Sequence, residues 1–519
     1  MFPQISPRRE IAFLVLALFV AGTRGAQSVA AAGDTMPDVF PAIPEIRAQN
    51  GVATVRLDAI LDPVTGAPAF TYQGTIGVVP TIRVSPGDTI DLTVGNGFPF
   101  RQNQINGVNI HFHGLTVSPN PPQDETIVTL AQIGQVIRYR VKIPPEQEPG
   151  LYWYHPHSHR ESYRQVTGGM SGAIVVEGLE RHIPALAAMK ERIIVLRDVA
   201  IGANYVDSDM PLQPAPGGGV TARLRAKNNG SPCRPEDGLQ PTLNGQTRAR
   251  IGIEPGEREF FRVVNASAAR HFDLSIDRSR LQLVAVDGVA LDAYPGTSAV
   301  RTVDHVVVPP AGRVEFVITG LDQPTVLRSA CYDSGSAGDA NPAVVLADLV
   351  DPRTIFETPV PATPSAAGNT APAAPPPLEP IAGTLPALHH AAVFPLPAAK
   401  HAIVFTEDAN GFYINGKAFD MSAPPSIVSR AGTVEDWTIV NKTDEVHDFH
   451  IHQIHFAAER IDGKPIAHPV WQDTIVVRPH RSVVLLMDFR DPVIRGTFLY
   501  HCHILDHEDQ GMMAKIRVI

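Results

Sequence analysis

The chain has 519 residues, which is too long for one hydrophobic core and indicates two to four domains. A hydrophobic fraction of 44% and a charged fraction of 18% exclude an intrinsically disordered protein, and the 48 prolines and 41 glycines favour short strands joined by turns. The formal net charge of −10 argues against nucleic acid as a partner.

The N-terminal segment 1–32 has the pattern of a secretory signal peptide. Arg8 and Arg9 precede an uncharged apolar run over residues 11–21, and small residues follow at 30–32. The run is too short to span a bilayer, and this order of residue types is typical of a cleaved signal. The paired arginines also suit a twin-arginine signal, and a buried N-terminal helix is the alternative interpretation. We expect a protein that acts in the periplasm or outside the cell, without a membrane partner.

A turn followed by an alternating, strand-like run occurs three times. The copies begin at Pro86-Gly87, Pro255-Gly256 and Ala431-Gly432 and end at Asn96, Asn265 and Asn441. Each copy spans ten residues from its first position to the asparagine, and period-2 alternation is the signature of a strand with one buried face. A motif repeated every ~170 residues implies three related domains.

Three antiparallel β-sandwich domains are predicted over residues 37–180, 186–355 and 396–519, which makes the chain all-β. Helix is expected only in short pieces, for example around His182 to Arg192. Residues 356–395 are rich in proline and alanine, cannot supply a core, and are predicted to form a linker.

Ten of the 20 histidines fall into four tight clusters. The clusters are His111-Phe112-His113-Gly114, His155-Pro156-His157, His447-Asp448-Phe449-His450-Ile451-His452, and His501-Cys502-His503 with His507 and Met512. Residues two apart on a strand point to the same face, so each His-x-His pair offers two imidazoles in one direction. A single pair of this kind is usually a solvent-facing pair, but four of them provide eight ligands, enough for three metal ions.

The cysteine inside the last cluster points to a second kind of metal site. Strand alternation directs Cys502 away from His501 and His503, and His447 likewise lies on the face opposite to His450. Cys502, His447, His507 and an axial Met512 form the ligand set of a blue-copper electron-transfer site. Zinc is the main alternative metal, but zinc rarely takes eight imidazoles together with a thiolate and a thioether. An electron at the cysteine-bound metal is then separated from the histidine cluster by one short backbone segment.

These four motifs together resemble the copper motifs of multicopper oxidases. The second motif extends to Trp153-Tyr154-His155-Pro156-His157, and the middle domain is similar to the family at Leu243-Asn244-Gly245 and residues 262–266. The resemblance covers nearly the whole chain after the signal and implies three cupredoxin-like Greek-key β-sandwich domains.

The resemblance also implies four copper ions and a role for each ligand. A type 1 copper is held by His447, Cys502, His507 and Met512. A type 2 copper is held by His111 and His450. A type 3 pair is held by His113, His155, His157, His452, His501 and His503. Carboxylates beside the ligands are the expected proton donors for dioxygen reduction, with Glu508 first and Asp124 second, although either carboxylate is also compatible with solvated surface charge.

The implied activity is that of a laccase-like, copper-dependent oxidase. It takes single electrons from phenols or aromatic amines and reduces dioxygen to water. Reducing substrates are expected to meet an imidazole edge of His447 or His507 that solvent reaches, near Asp444 and Glu445. Oxidation of cuprous or other metal ions in copper tolerance is the alternative, although the nine methionines form no cluster before the third domain. Cys233 and Cys331 are available to pair, but the sequence leaves their state open.

Overall fold

The computed structural model describes residues 40–101, 106–200, 227, 229–234, 239–354 and 395–519. The predicted signal segment, and all of the predicted linker except its last residue, lie outside the described residues. Strands make up nearly all of the regular structure in the described part, and they form three successive pairs of β-sheets over residues 45–176, 190–350 and 399–518. The predicted all-β class is therefore confirmed.

The first pair of sheets contains strands β1 to β10. They are β1 (Glu45–Arg47), β2 (Val52–Leu61), β3 (Pro68–Tyr72), β4 (Thr75–Ile76), β5 (Thr81–Val84), β6 (Thr89–Asn96), β7 (His111–His113), β8 (Val136–Lys142), β9 (Gly150–His155) and β10 (Gly172–Val176). One sheet has the order β1-β5-β10-β9-β7 and the other β4-β3-β2-β6-β8. A short helix α1 (Ser162–Thr167) connects β9 to β10.

The second pair of sheets contains strands β11 to β22. They are β11 (Lys190–Ala200), β12 (Leu239–Leu243), β13 (Ala249–Gly252), β14 (Arg258–Asn265), β15 (Phe272–Ile276), β16 (Leu281–Val286), β17 (Val289–Ala290), β18 (Arg301–Val303), β19 (Val306–Val308), β20 (Arg313–Thr319), β21 (Thr325–Ala330) and β22 (Val344–Val350). One sheet has the order β12-β11-β14-β20-β16-β17, with β18 beside β16, and the other β13-β22-β21-β15-β19.

The third pair of sheets contains strands β23 to β34. They are β23 (Ala399–Asp408), β24 (Gly411–Ile414), β25 (Ile427–Ser429), β26 (Thr433–Asn441), β27 (His447–Ile451), β28 (Phe456–Ile461), β29 (Lys464–Pro465), β30 (Trp471–Gln472), β31 (Thr474–Val477), β32 (Ser482–Phe489), β33 (Gly496–Cys502) and β34 (Met513–Val518). The sheets have the orders β24-β23-β26-β32-β28-β29, with β30 beside β28, and β25-β34-β33-β27-β31. Helix α2 (Leu505–Asp509) lies between β33 and β34.

The three repeated motifs occupy equivalent central strands, β6, β14 and β26. Each of them pairs in parallel with the first long strand of its own pair of sheets and antiparallel with a later one. The terminal asparagines are buried and work alike. In Asn96, Asn265 and Asn441 the side-chain amide donates to two backbone carbonyls, while Oδ1 accepts the backbone N–H two residues later. The asparagine recurs because it ties the loop after the strand to the sheet.

Two details differ from the sequence prediction. The sheets are mixed rather than purely antiparallel, since β2–β6, β11–β14 and β23–β26 are parallel pairs and the chain must cross over between them. The helix expected around His182 to Arg192 is reduced to a 3₁₀ turn at Pro184–Ala188, and β11 already begins at Lys190. A proline at the first position of the turn and the branched residues that follow favour this switch to a strand.

Each pair of sheets encloses its own hydrophobic core, as expected for separate sandwich layers. A further apolar cluster joins β9 and β10 to β11 and β14, and so packs the first sandwich against the second. Cys233 and Cys331 form a disulfide across a sequence separation of 98 residues, which answers the question that the sequence left open. None of the helices in the described part is long and apolar enough to cross a membrane.

Candidate metal centres

The clustered histidines lie at the ends of four strands, two from the first sandwich and two from the third. β7 pairs with β9 so that His111 is opposite His155, and β27 pairs with β33 so that His450 is opposite His501. In the same ladder Phe449 is opposite Cys502, so the cysteine belongs to the other face of β33. The alternation along residues 501–503 therefore separates the sulfur from the two imidazoles.

Eight imidazoles converge between the first and third sandwiches, and all eight are buried. They are His111, His113, His155, His157, His450, His452, His501 and His503. Two stacked pairs join the sandwiches, with ring centroids 3.7 Å apart for His111 and His452 and 3.9 Å apart for His113 and His450. Neither sandwich alone holds the whole set.

The eight rings contain two compact groups of three. His501 Nε2 lies 3.2 Å from the Nε2 atoms of both His157 and His452. In the second group the His503 ring lies 5.1 Å from His113 and 5.4 Å from His155. His111 and His450 complete the set, and each has a ring nitrogen within 4.8 Å of one on His452. By ligand-atom distance the groups overlap, since His111 also groups with His113 and His155, so the set suits several metal ions held close together.

Unsatisfied ring nitrogens show that the cluster suits metal ions. Within the described part, the Nε2 atoms of His111, His155 and His450 are buried without a hydrogen-bond partner. Both ring nitrogens of His503 are likewise buried and without a partner there. Leaving such atoms unpaired is costly, whereas a metal ion satisfies them. Burial lowers the pKa of these histidines, to about 4 for His157, so the rings are neutral, which is the form that binds metal.

A second candidate metal site, the thiolate site of His447, Cys502 and His507, lies on the opposite face of β33. Cys502 Sγ is 3.6 Å from Nδ1 of His447 and 3.8 Å from Nδ1 of His507, and the two Nδ1 atoms are 3.1 Å apart. Met512 is fully buried, and its carbonyl accepts the Cys502 N–H at 3.0 Å. Burial raises the pKa of the Cys502 thiol, and a metal cation supplies the positive charge that a thiolate needs here. One cysteine sulfur and two imidazoles in one buried group favour copper.

Comparison with known proteins assigns the family. Sequence profiles described as multicopper oxidase match residues 59–181, 219–330 and 394–519. This chain belongs to the multicopper oxidase family. It is a copper-dependent oxidoreductase that uses dioxygen, and its three sandwiches are the cupredoxin-like domains of that family.

Individual relatives agree with this assignment along most of the chain. A multicopper oxidase from Staphylococcus aureus is 23% identical over 457 residues, 86% of this chain and 83% of that protein. A laccase from Bacillus subtilis is 24% identical over 449 residues, 79% of each chain. The solved structure of a Campylobacter jejuni multicopper oxidase, described as a metallo-oxidase, superposes with a TM-score of 0.69 at 25% identity, covering 93% of this chain and 95% of that one.

The two acids that the sequence singled out both lie beside the histidine cluster of this multicopper oxidase. Glu508 is fully buried; its Oε2 is 3.3 Å from His501 Nδ1, and its Oε1 accepts the Ser162 hydroxyl at 2.8 Å. Asp124 Oδ2 is 2.9 Å from His111 Nδ1, and its Oδ1 accepts the Phe112 N–H. Burial raises the pKa of Asp124 to about 7. Neither carboxylate is solvated surface charge.

Sequence reasoning missed a third buried carboxylate, Asp473. Its side-chain Oδ1 accepts hydrogen bonds from Nε2 of His113 at 3.0 Å and from Nη1 of Arg313 at 2.8 Å. Its backbone carbonyl accepts a hydrogen bond from Nδ1 of His450 at 2.8 Å. Burial opposes ionisation, but the Arg313 guanidinium outweighs it and holds the pKa of Asp473 below its ordinary value. Arg313 comes from the second sandwich, so all three domains meet behind the histidines. The sequence around Asp473 carries no local signal for this contact.

The surroundings of the thiolate site also differ from expectation. The imidazoles of His447 and His507 are buried rather than open to solvent. Thr443 Oγ1 lies 3.0 Å from His447 Nε2, and Phe412 stacks on His507 with centroids 4.0 Å apart. These residues come from β24 and the loop before β27, whose packing the local sequence does not reveal.

The two acids expected near the thiolate site have different places. Glu445 is buried; its Oε1 lies 3.5 Å from His507 Nε2, while Lys227 donates to its Oε2 at 2.7 Å. Asp444 is exposed and pairs with His480 at 2.7 Å. Of these two acids, Glu445 is therefore the one that lies beside Nε2 of His507, on the side of the ring that points away from the sulfur.

Proposed function

We propose that this chain is a laccase-like oxidase with four copper ions. It removes one electron at a time from phenols or aromatic amines and reduces dioxygen to two waters. One observation carries the proposal. At residues 501–503 the end of one strand offers a cysteine sulfur to one metal site and two imidazoles to the other.

The proposed ligand assignment follows the motifs and is supported by the grouping of the side chains. Cys502, His447, His507 and Met512 hold a type 1 copper, and His111 and His450 hold a type 2 copper. The two groups of three described above, His157 with His452 and His501, and His113 with His155 and His503, hold the type 3 pair.

When bound, copper supplies one-electron redox chemistry, so that four ions collect the electrons that dioxygen needs. The protein residues hold the ions in position, exclude water and supply protons. Cys502 connects the two sites through its own backbone to His501 and His503. Glu508 is proposed to donate protons toward the histidine cluster from its place beside His501, because burial raises the pKa of its carboxyl above the ordinary value and so favours the protonated form. Asp124 is proposed to orient His111 and to serve as the second donor.

One measurement tests the proposal most directly. We expect about four coppers per chain and a strong absorption band near ~600 nm from thiolate-to-copper charge transfer. Cys502→Ser should abolish the band and the turnover together. His182→Phe is the control, because the His182–Asp292 contact that it removes involves no proposed copper ligand, and it should leave the band and the turnover intact. A wild-type protein that binds copper without this band would refute the type 1 assignment.

Oxidation of a metal ion is the second candidate, and one observation favours it. The Glu407 carboxylate lies 4.0 Å from Nε2 of His447 at the outer edge of the thiolate site and suits a cation, whereas Glu445 is already paired with Lys227. The structurally similar C. jejuni enzyme is described as a metallo-oxidase. Parallel assays with copper(I) and a dimethoxyphenol separate the candidates, since the better substrate has the larger kcat/KM.

Export to the periplasm or cell exterior is part of the proposal. The Cys233–Cys331 disulfide supports it, because structural disulfides persist in oxidising compartments. N-terminal sequencing of the protein recovered from the periplasm or medium should begin near residue 33. Recovery of the uncleaved chain from the cytoplasm alone would contradict this localisation.

A further inference from the structure

Asp448 is a buried residue that contacts both Cys502 and His503 but is not itself a proposed metal ligand. Its backbone N–H donates to Cys502 Sγ at 3.4 Å, and its carbonyl accepts the His503 N–H at 2.7 Å. The backbone of this one residue therefore contacts both the cysteine sulfur and His503.

The side chain of Asp448 is held by the second domain. Nε2–H of His271 donates to Asp448 Oδ1 at 3.0 Å, and both residues are buried. In the described part, the other carboxylate oxygen has no hydrogen-bond partner. The His271 contact is therefore the main polar restraint on this carboxylate.

The His271 ring is itself fixed in orientation. It stacks on Tyr332 with centroids 4.7 Å apart and an interplanar angle of 8°. Its backbone N–H donates to Asn341 Oδ1 at 3.2 Å. Tyr332 follows Cys331 of the disulfide, so a rigid part of the second domain supports the imidazole.

We propose that His271 is a positioning residue for the thiolate site, acting across the domain boundary through Asp448. This inference rests on the type 1 copper assignment above. Hydrogen bonds to a cysteine sulfur tune the reduction potential of blue-copper sites, because they draw electron density from the thiolate and favour the reduced metal. By holding Asp448, His271 keeps its N–H directed at the sulfur and keeps the potential high. The second domain, which supplies no ligand in the proposed assignment, thereby sets the driving force for substrate oxidation.

His271→Phe tests this role, because phenylalanine keeps a ring for Tyr332 and removes the N–H donor. We expect copper content to be retained, the thiolate band to shift, and the midpoint potential to fall. The ratio of oxidised to reduced type 1 sites against a fixed mediator should change on the order of tenfold, where tenfold is 59 mV for one electron. His271→Gln, which restores a donor, should recover part of the shift.

His182→Phe is the matched control. It is the same substitution and also removes a histidine–aspartate contact, between His182 and Asp292 at 3.1 Å, in which neither residue touches a proposed copper ligand. Its band and potential should equal those of the wild type. If His271→Phe does not fold, His271→Asn, which is polar but too short to reach Asp448, replaces it with the same expected shift.

The outcomes separate this inference from the proposed function. A wild-type protein that binds copper but lacks the thiolate band contradicts the type 1 assignment itself. A normal wild-type band with an unchanged band and potential in the His271 variants overturns only the positioning role. A fall in thermal stability without a spectral or potential change would show that His271 is merely structural.

Discussion

Replacing Asp473 by asparagine should weaken both the fold and the histidine cluster. The variant keeps the volume of the side chain but removes a buried negative charge that pairs with Arg313 and accepts His113. Removing one partner of a buried ion pair costs ~3–5 kcal/mol, because the other charge remains buried without compensation. Arg313 keeps Asp287 at 3.4 Å and donates to the carbonyls of Ala311 and Leu151, so we expect the lower end, about 3 kcal/mol.

The assay for Asp473→Asn is thermal unfolding together with copper quantification. At ~2–4 °C per kcal/mol for domains of about 150 residues, the midpoint should fall by roughly 6–12 °C. Copper content should fall as well, because the His113 ring loses the acceptor that orients it. Asp444→Asn is the matched control, since the Asp444–His480 pair is about two-thirds exposed and such pairs contribute about 0–1 kcal/mol. Equal midpoints and copper contents for the two variants would refute the reasoning.

Three further predictions use other parts of the structure. Gly114→Ala should lose copper and stability, because Gly114 has φ +85° and a Cβ there would lie 2.5 Å from Arg313 Nη2 and 2.7 Å from Asp473 Oδ2; normal metal content at wild-type stability would contradict this. Glu508→Gln should keep its copper but reduce dioxygen ~10²–10⁴-fold more slowly, because the amide has no carboxyl proton to give; steady-state oxygen uptake measures this, and an unchanged rate excludes the role. Cys233→Ser/Cys331→Ser should lower the free energy of unfolding by ~4–5 kcal/mol, because the disulfide closes a loop of about 100 residues in the unfolded chain. Identical unfolding midpoints for the oxidised wild type and the variant would argue against it.

The parts of the site that the sequence predicted are those that local geometry controls. Alternation along residues 501–503 and the spacing between His447 and His450 place these side chains on opposite faces of strands, as β27 and β33 show. The three strands that end in asparagine were also predicted from a local pattern, a turn followed by alternating residues. Each asparagine side chain donates to a loop carbonyl, which gives it the same local role in all three copies. Short-range patterns of this kind can be recognised in one sequence.

The parts that the sequence did not predict depend on contacts between domains. Arg313 reaches Asp473 across 160 residues, and His271 reaches Asp448 across 177, without any periodic signal near either partner. The burial of His447 and His507 likewise depends on packing by Phe412 and the loop at Thr443. Parallel pairing within the sheets is also non-local, which explains why purely antiparallel sheets were expected.

The division of the histidine cluster between two domains has a consequence for how the protein acquires its metal. During synthesis the first domain emerges with His111, His113, His155 and His157, and 293 positions separate His157 from His450, the first histidine of the cluster in the third domain. Until then only half of the imidazoles exist, so a complete set of ions can be captured only by a chain whose outer domains have already docked. A full metal content therefore indicates that the two outer domains have docked. Separation of these domains would release all of the shared ions together.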